Sequence, residues 1–476
     1  MRVANGVIRR GIANVKYVLL SQFCYYVVTF LTAFVLPGVL GVVPNGYYQI
    51  YFFYTANFVG LMHIGFNDGI YLKFGGYEFD KLPQELFRTF MRLYICMNGI
   101  EMLALLAVVL WEPNPNKRFA FVFAVLNILV VNLSALLNYI NQATGRIRLY
   151  SFIVIAQQVQ LIAGLVVLFL LRHVDFRTVI VLDFAAKTVV VFINVACCRD
   201  LFFGKRAPWR AAWGPYWDNI RVGVKLMIAN LMAMLVMGAG KLVMERLGTV
   251  ADFSEYSFAS NAINIAMAFI SAVGLVLYPV LCRLERKTLP YYFQRINRLL
   301  CAFIFSMMLL YYPLVVVIRV FLPKYDAVLS YLHLLFPIVI MQSKMQMLIN
   351  NYYESLREER AMMWANLSAV GLFVAVALPL YLWHPSVLVI VWATLGVFVW
   401  RCYASELFLK RKMGIHSMRN MFEEWGMGGL FIVANSLLGW GPGLMLYAAA
   451  VAAYLLYYRR ELLPAVRTVM QSALDR

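Results

Sequence analysis

Residues 119–141 read FAFVFAVLNILVVNLSALLNYIN, with Lys117-Arg118 before them and Arg146 and Arg148 beyond. This stretch carries no charge and is long enough to cross the ~30 Å hydrocarbon core of a bilayer as a helix. It is too long for a strand, so its reading fixes the class of the whole chain. The same design repeats along the chain. Apolar runs fall at 15–40, 47–71, 91–111, 119–141, 150–171, 178–198 and 222–242, then at 256–280, 297–319, 328–350, 361–383, 387–408, 425–440 and 443–458. Hydrophobic residues make up 63% of the 476, and the mean hydropathy is +0.74. About 14 spans of ~22 residues would use ~310 positions, which leaves no supply for a separate soluble domain. The first run, after Arg9-Arg10, is too long for a signal-peptide core and lacks a small-residue cleavage site, so a retained helix is expected.

The net charge of +19 is spread over short loops rather than gathered on one face, which argues against nucleic acid as partner. Basic residues crowd into every second gap. Between them lie nearly neutral gaps, whose bases are Lys117, Arg118, Arg172, Arg177, Lys241, Arg246, Arg319 and Lys324. The positive-inside rule then predicts a cytoplasmic location for both termini of a multi-pass membrane protein. Trp111 and Trp383 fall at outer ends of spans and Trp425 at an inner end, where interfacial aromatics are expected. The seven cysteines show neither metal-ligand nor disulfide-framework spacing, and no cofactor or metal is expected.

Three landmarks recur at nearly constant spacing: Lys16 with Lys225, Leu40-Gly41 with Leu247-Gly248, and Tyr48 with Tyr256. They imply duplicated halves of six helices each. An even number per half preserves orientation, so the halves are parallel repeats that would bracket a central cavity. The expected organisation is a six-helix lobe over 1–198, a cytoplasmic linker over 199–221, a second lobe over 222–410, and two added helices with a basic tail over 411–476. In the linker, Trp209, Trp213 and Trp217 recur every four residues. Two readings stand: an interfacial helix, or an anchored loop interrupted at Gly214-Pro215.

The segment Gly65-Phe66-Asn67-Asp68-Gly69-Ile70-Tyr71-Leu72-Lys73-Phe74-Gly75-Gly76 resembles the close of the second span in Wzx-type polysaccharide flippases. These belong to the multidrug/oligosaccharidyl-lipid/polysaccharide exporter superfamily. Gly240-Lys241-Leu242 through Leu247-Gly248 to Glu255-Tyr256-Ser257-Phe258-Ala259 is similar to that family's entry into the second lobe, and Leu322-Pro323-Lys324-Tyr325 to an outer loop. The resemblance implies a flippase that moves undecaprenyl-diphosphate-linked oligosaccharide units to the outer leaflet by alternating access. Its partners would be the glycan carrier, membrane lipids and polysaccharide polymerase machinery.

A charge at membrane depth costs at least ~2.5–3.5 kcal/mol, so each needs a partner or a wet cavity. Lys187, Lys344 and Arg401 fall inside spans, and Lys241 at the outer end of the seventh. These four are the expected contacts for an anionic diphosphate. Alternatives stay open: Lys187 is four residues after Asp183 and can pair with it, and Arg401 can snorkel to the inner face. Lys344 lies in Gln342-Ser343-Lys344-Met345-Gln346, which reads as a wet face. Glu101 and Asp183 are candidates for coupling to a proton or sodium ion, and Asp68 and Lys73 for a gate. No catalytic group is assigned. A polymerase would need a sizeable outer loop with catalytic residues, and the longest here has about a dozen residues, Val243 to Ser254. A lipid II flippase and a cation-coupled multidrug exporter of the same fold remain alternatives.

Overall fold

The computed structural model describes residues 17–18, 20–75, 77–281 and 288–462. Arg2, Arg9, Arg10, Lys16, Arg283, Arg286, Lys287 and the basic tail beyond 462 lie outside the described residues. The protein is an all-helical polytopic membrane protein, and no strand occurs among the described residues. This follows from the sequence, because a bilayer core offers no water to backbone groups and helices satisfy them internally. Nine helices among the described residues are long and apolar enough to cross a membrane, or eleven if each of two bent pairs counts as one span.

The chain forms two compact units, Met1–Met234 and Leu235–Arg476. The first contains α1 (Leu20–Leu40), α2 (Val42–Asn57), α3 (Phe66–Phe74), α4 (Gln84–Val109), α5 (Pro115–Ala143), α6 (Ile147–Leu170) and α7 (Phe176–Cys197). Local signals set several ends. Asn114 caps α5 by accepting from the Asn116 and Lys117 amides at 3.0 and 3.2 Å, with Pro115 at the first helical position. Asp175 and Thr178 form a reciprocal capping box at the start of α7.

α8 (Trp209–Leu247) begins in the first unit and ends in the second. Within the second follow α9 (Val250–Leu281), α10 (Leu289–Met308), α11 (Tyr311–Phe321), α12 (Pro323–Leu335), α13 (Ile338–Ser355), α14 (Glu359–Trp383), α15 (Val387–Met413), α16 (Arg419–Leu437) and α17 (Trp440–Tyr457). Leu40 ends α1 as Leu247 ends α8, and Tyr48 and Tyr256 occupy the same position in the helix that follows.

Two expectations need correction, and the linker follows one of its two open readings. The second span is not continuous: α2 stops at Asn57, a 3-10 turn covers Val59–Leu61, and Ile64 and Gly65 take positive φ (50° and 77°) before α3 starts. The break serves packing. A Cβ at Gly69 would lie 2.0 Å from the Asn219 carbonyl oxygen, and one at Gly223 1.9 Å from that of Gly65, so two backbones meet where only glycine fits. Phe66 seals the contact by stacking on Tyr216, with ring centroids 4.4 Å apart. The tenth span bends by 52° between Leu335 and Ile338, at Pro337, whose ring cannot continue the ladder. The linker does not break at Gly214-Pro215, since α8 runs through it and presents Trp209, Trp213 and Trp217 exposed.

Candidate site of buried ions and amides

In the first unit, Asp183 and Lys187 of α7 ion-pair at 2.5 Å, with side chains only 10% and 15% exposed. Tyr51 of α2 donates its hydroxyl to the same carboxylate, Asn127 of α5 donates to Tyr51 Oη at 2.9 Å, and the Lys187 ammonium sits 5.4 Å from the Tyr51 ring centroid. The charge of Lys187 is therefore spent inside the unit, and so is that of Asp183. Asp68 is buried in the first turn of α3, while Lys73 is exposed in its last turn; no ion pair joins them. Glu101 of α4 has a buried Oε2 without a hydrogen-bond partner, and among the described residues no cation pairs with it.

In the second unit, Lys344 is 1% exposed, and the wet face expected around it is absent at this residue. Its ammonium lies 2.6 Å from Glu406 Oε2 of α15 and 2.6 and 2.8 Å from the two oxygens of Glu424 on α16. Lys410, one turn after Glu406, closes a second ion pair at 2.8 Å. Two lysines and two glutamates thus balance in a dry cluster that ties α13, α15 and α16 together. A π-turn, Met345–Ile349, follows Lys344 directly and resets the helical phase between the polar and apolar faces of α13. Sequence reasoning missed Glu406 and Glu424. Glu406 stands four residues before Lys410, an acid-before-base pair, and that was the available signal.

Arg401 behaves differently. It is 3% exposed, so it does not snorkel. Its Nε donates to Asn366 Oδ1 at 2.7 Å and its Nη1 to Gln342 Oε1 at 3.2 Å, while Nη2 donates to none of the described residues. No carboxylate among the described residues pairs with it. Lys241 is half-buried and likewise donates only to an amide oxygen, that of Asn261, at 3.2 Å. Of the four cations expected to meet substrate, two are neutralised by acids and two are solvated only by amides.

A groove of about 1150 Å³ also runs along α15 in this unit. Trp383, Trp392, Trp400 and Phe408 are among its apolar walls, and Arg411 stands in its lining near the end of α15.

No family model matches the sequence, and no curated protein matches it. Solved structures do. The lipid II flippase MurJ in an inward closed conformation superposes with a TM-score of 0.65 at 12% identity, covering 94% of this chain and 99% of that one. The likeness is one of fold. A chain titled "protein A" gives a TM-score of 0.58 at 15% identity, over 86% of this chain and 96% of its own. The MATE transporter ClbM in complex with Rb+ gives 0.45 at 14% identity, over 86% and 95%.

Proposed function

We propose that this chain is a transporter of the multidrug/oligosaccharidyl-lipid/polysaccharide exporter superfamily that flips a prenyl-diphosphate-linked glycan across the inner membrane. The transport scheme is alternating access, as the family resemblance implies. The observation that carries the cargo class is Arg401. A guanidinium at membrane depth, held by two neutral amides and unmatched by a carboxylate, keeps its charge available for an anion. Lys241 repeats the arrangement with a single amide. A drug-cation exporter would need the opposite sign at these positions. The apolar groove along α15, with Arg411 in its lining, suits a long hydrocarbon chain that carries an anionic head.

Two cargoes share this chemistry. The sequence motifs favour an oligosaccharide repeat unit for surface polysaccharide, and the fold likeness to MurJ favours lipid II. Both present the same diphosphate to Arg401, so the distinction lies in the head beyond it. The test is reconstitution into liposomes with either lipid-linked repeat units or lipid II in one leaflet, scored for appearance in the other. Movement of the first alone establishes the polysaccharide reading. Movement of lipid II alone establishes the second, and movement of neither, with organic-cation efflux instead, overturns both.

A further inference from the structure

The linker over 199–221 has no part in the transport reading, yet its charge is lopsided. It carries five bases, Arg199, Lys205, Arg206, Arg210 and Arg221, against two acids, Asp200 and Asp218. Its first half is pinned rather than slack. Arg88 of α4 donates from Nε to the Asp200 carbonyl and from Nη1 to that of Lys205, each at 2.8 Å. The Ala207 amide donates to the Glu85 carbonyl at 3.0 Å, and Thr89 Oγ1 to the Ala207 carbonyl at 2.8 Å. The backbone is thus fixed on α4 while the side chains of Lys205 and Arg206 stay exposed.

α8 begins at Trp209, and at about 100° per residue its first turns divide into three faces. Ala212, Tyr216 and Ile220 are buried against the first unit, where Tyr216 stacks on Phe66. Beside them runs a stripe of Trp209, Trp213 and Trp217, 51%, 48% and 42% exposed, the last two edge to face at 5.9 Å. Beyond the stripe come Arg210 and Arg221, about three turns apart on one side and both exposed. No acid among the described residues pairs with Lys205, Arg206, Arg210 or Arg221, and the three indole N–H groups donate to none of those residues.

We propose that this face of the first unit is a docking surface selective for anionic phospholipid headgroups. The charge is complementary: lipid phosphates meet Lys205, Arg206, Arg210 and Arg221, which the protein leaves without acids. The tryptophan stripe decides against an acidic protein segment as occupant, since tryptophans of a membrane protein gather where the bilayer meets water and offer their N–H groups to acceptors there. Arg210 and Arg221 stand about 16 Å apart along the helix axis. A stretch running along the interface keeps both at headgroup level, whereas an upright one would put the second in hydrocarbon. The buried side of the same helix meets Phe66 through Tyr216 and the Gly65 backbone through Gly223, so lipid held on the exposed side presses α8 onto the start of α3. The surface does not rest on the cargo reading; either can fail while the other stands.

The experiment places the purified full-length protein in vesicles of equal parts phosphatidylglycerol and phosphatidylcholine, extracts it in mild detergent, and counts the retained lipids by mass spectrometry. The wild type should hold phosphatidylglycerol over phosphatidylcholine by about fivefold or more, the worth of one base near an anionic surface. That excess should shrink when extraction is made in concentrated salt. Lys205→Gln, Arg206→Gln and Arg210→Gln combined in one chain should bring the ratio close to that of the vesicle. Trp213→Ala with Trp217→Ala should lower retention of both lipids. Lys324→Gln, which removes an exposed base of another loop, should leave the ratio unchanged. The wild-type thermal midpoint should also rise with the phosphatidylglycerol fraction, and that of the triple glutamine variant should not. Equal retention of the two lipids by the wild type overturns the surface. So does a triple glutamine variant, folded by its midpoint in phosphatidylcholine, that keeps the excess, or an equal loss of the excess in Lys324→Gln.

Discussion

In the first unit the buried polar side chains are mainly amides, Asn67, Asn98, Asn127, Asn132, Asn141 and Asn194 among them, with one closed ion pair; buried Asp68 and half-buried Glu101 pair with no cation among the described residues. In the second, ions stand among the buried polar side chains in greater number: Lys344, Glu406, Glu424 and Lys410 in a neutral cluster, Glu245 beside Arg246, and Arg401 held by amides alone. The two units have thus been filled in two ways. Under the proposed function, the amides around the Arg401 guanidinium leave a place for an anion. The contrast also separates charges that the fold pairs from charges that it leaves unpaired. A charge whose partner is already at hand holds helices together, and a charge met only by neutral dipoles is free to meet a ligand.

The largest effect that tests this contrast is loss of Lys344. Lys344→Ala leaves Glu406 and Glu424 buried with Lys410 as their remaining cation, and breaking such a cluster costs about 3–5 kcal/mol. Folded protein recovered from membranes should fall sharply, and Glu424→Gln in the same chain should restore part of it. Undiminished recovery of a Lys344→Ala protein would show that this cluster is not structural. A smaller loss follows from Asp183→Asn, which strands Lys187 beside Tyr51 and costs about 1.5–3 kcal/mol, the worth of a charged hydrogen bond. Adding Lys187→Met should recover most of the lost thermal midpoint; if it does not, the pair is more than a helix tie. The smallest effect is that of Lys241→Ala, whose cation has a single amide partner. Glycan transport should drop severalfold at unchanged midpoint, and equal transport would leave Arg401 as the one amide-solvated cation that acts on cargo.

The helices were legible because an uncharged run as long as residues 119–141 has few other readings, and caps such as Asn114-Pro115 and Asp175 mark where runs begin. The break at 58–65 was not, because Phe58 to Phe66 is as apolar as its flanks and the backbone that Gly65 packs against, Gly223–Val224, is distant in sequence. The candidate residues were visible as charges within spans, but whether each had a partner was not. Asp183 and Lys187 could be paired from their spacing, since both lie on one helix. Glu424 could not be paired with Lys344, because they lie 80 residues apart and the glutamate sits at the edge of an apolar run. Sequence shows which groups are costly to bury, and only the fold shows which are compensated.

The proposed transport turns on an anion meeting a cation that the protein leaves unmatched. Its most direct measurement is translocation of a prenyl-diphosphate-linked glycan in liposomes by the wild type, Arg401→Ala and Arg401→Lys, each reconstituted at equal density and checked for an unchanged thermal midpoint. Arg401→Ala should slow translocation about tenfold or more, in line with the ~1.5–3 kcal/mol of a charge-assisted contact, and Arg401→Lys should recover part of the rate. A folded Arg401→Ala protein that moves glycan at the wild-type rate would contradict it.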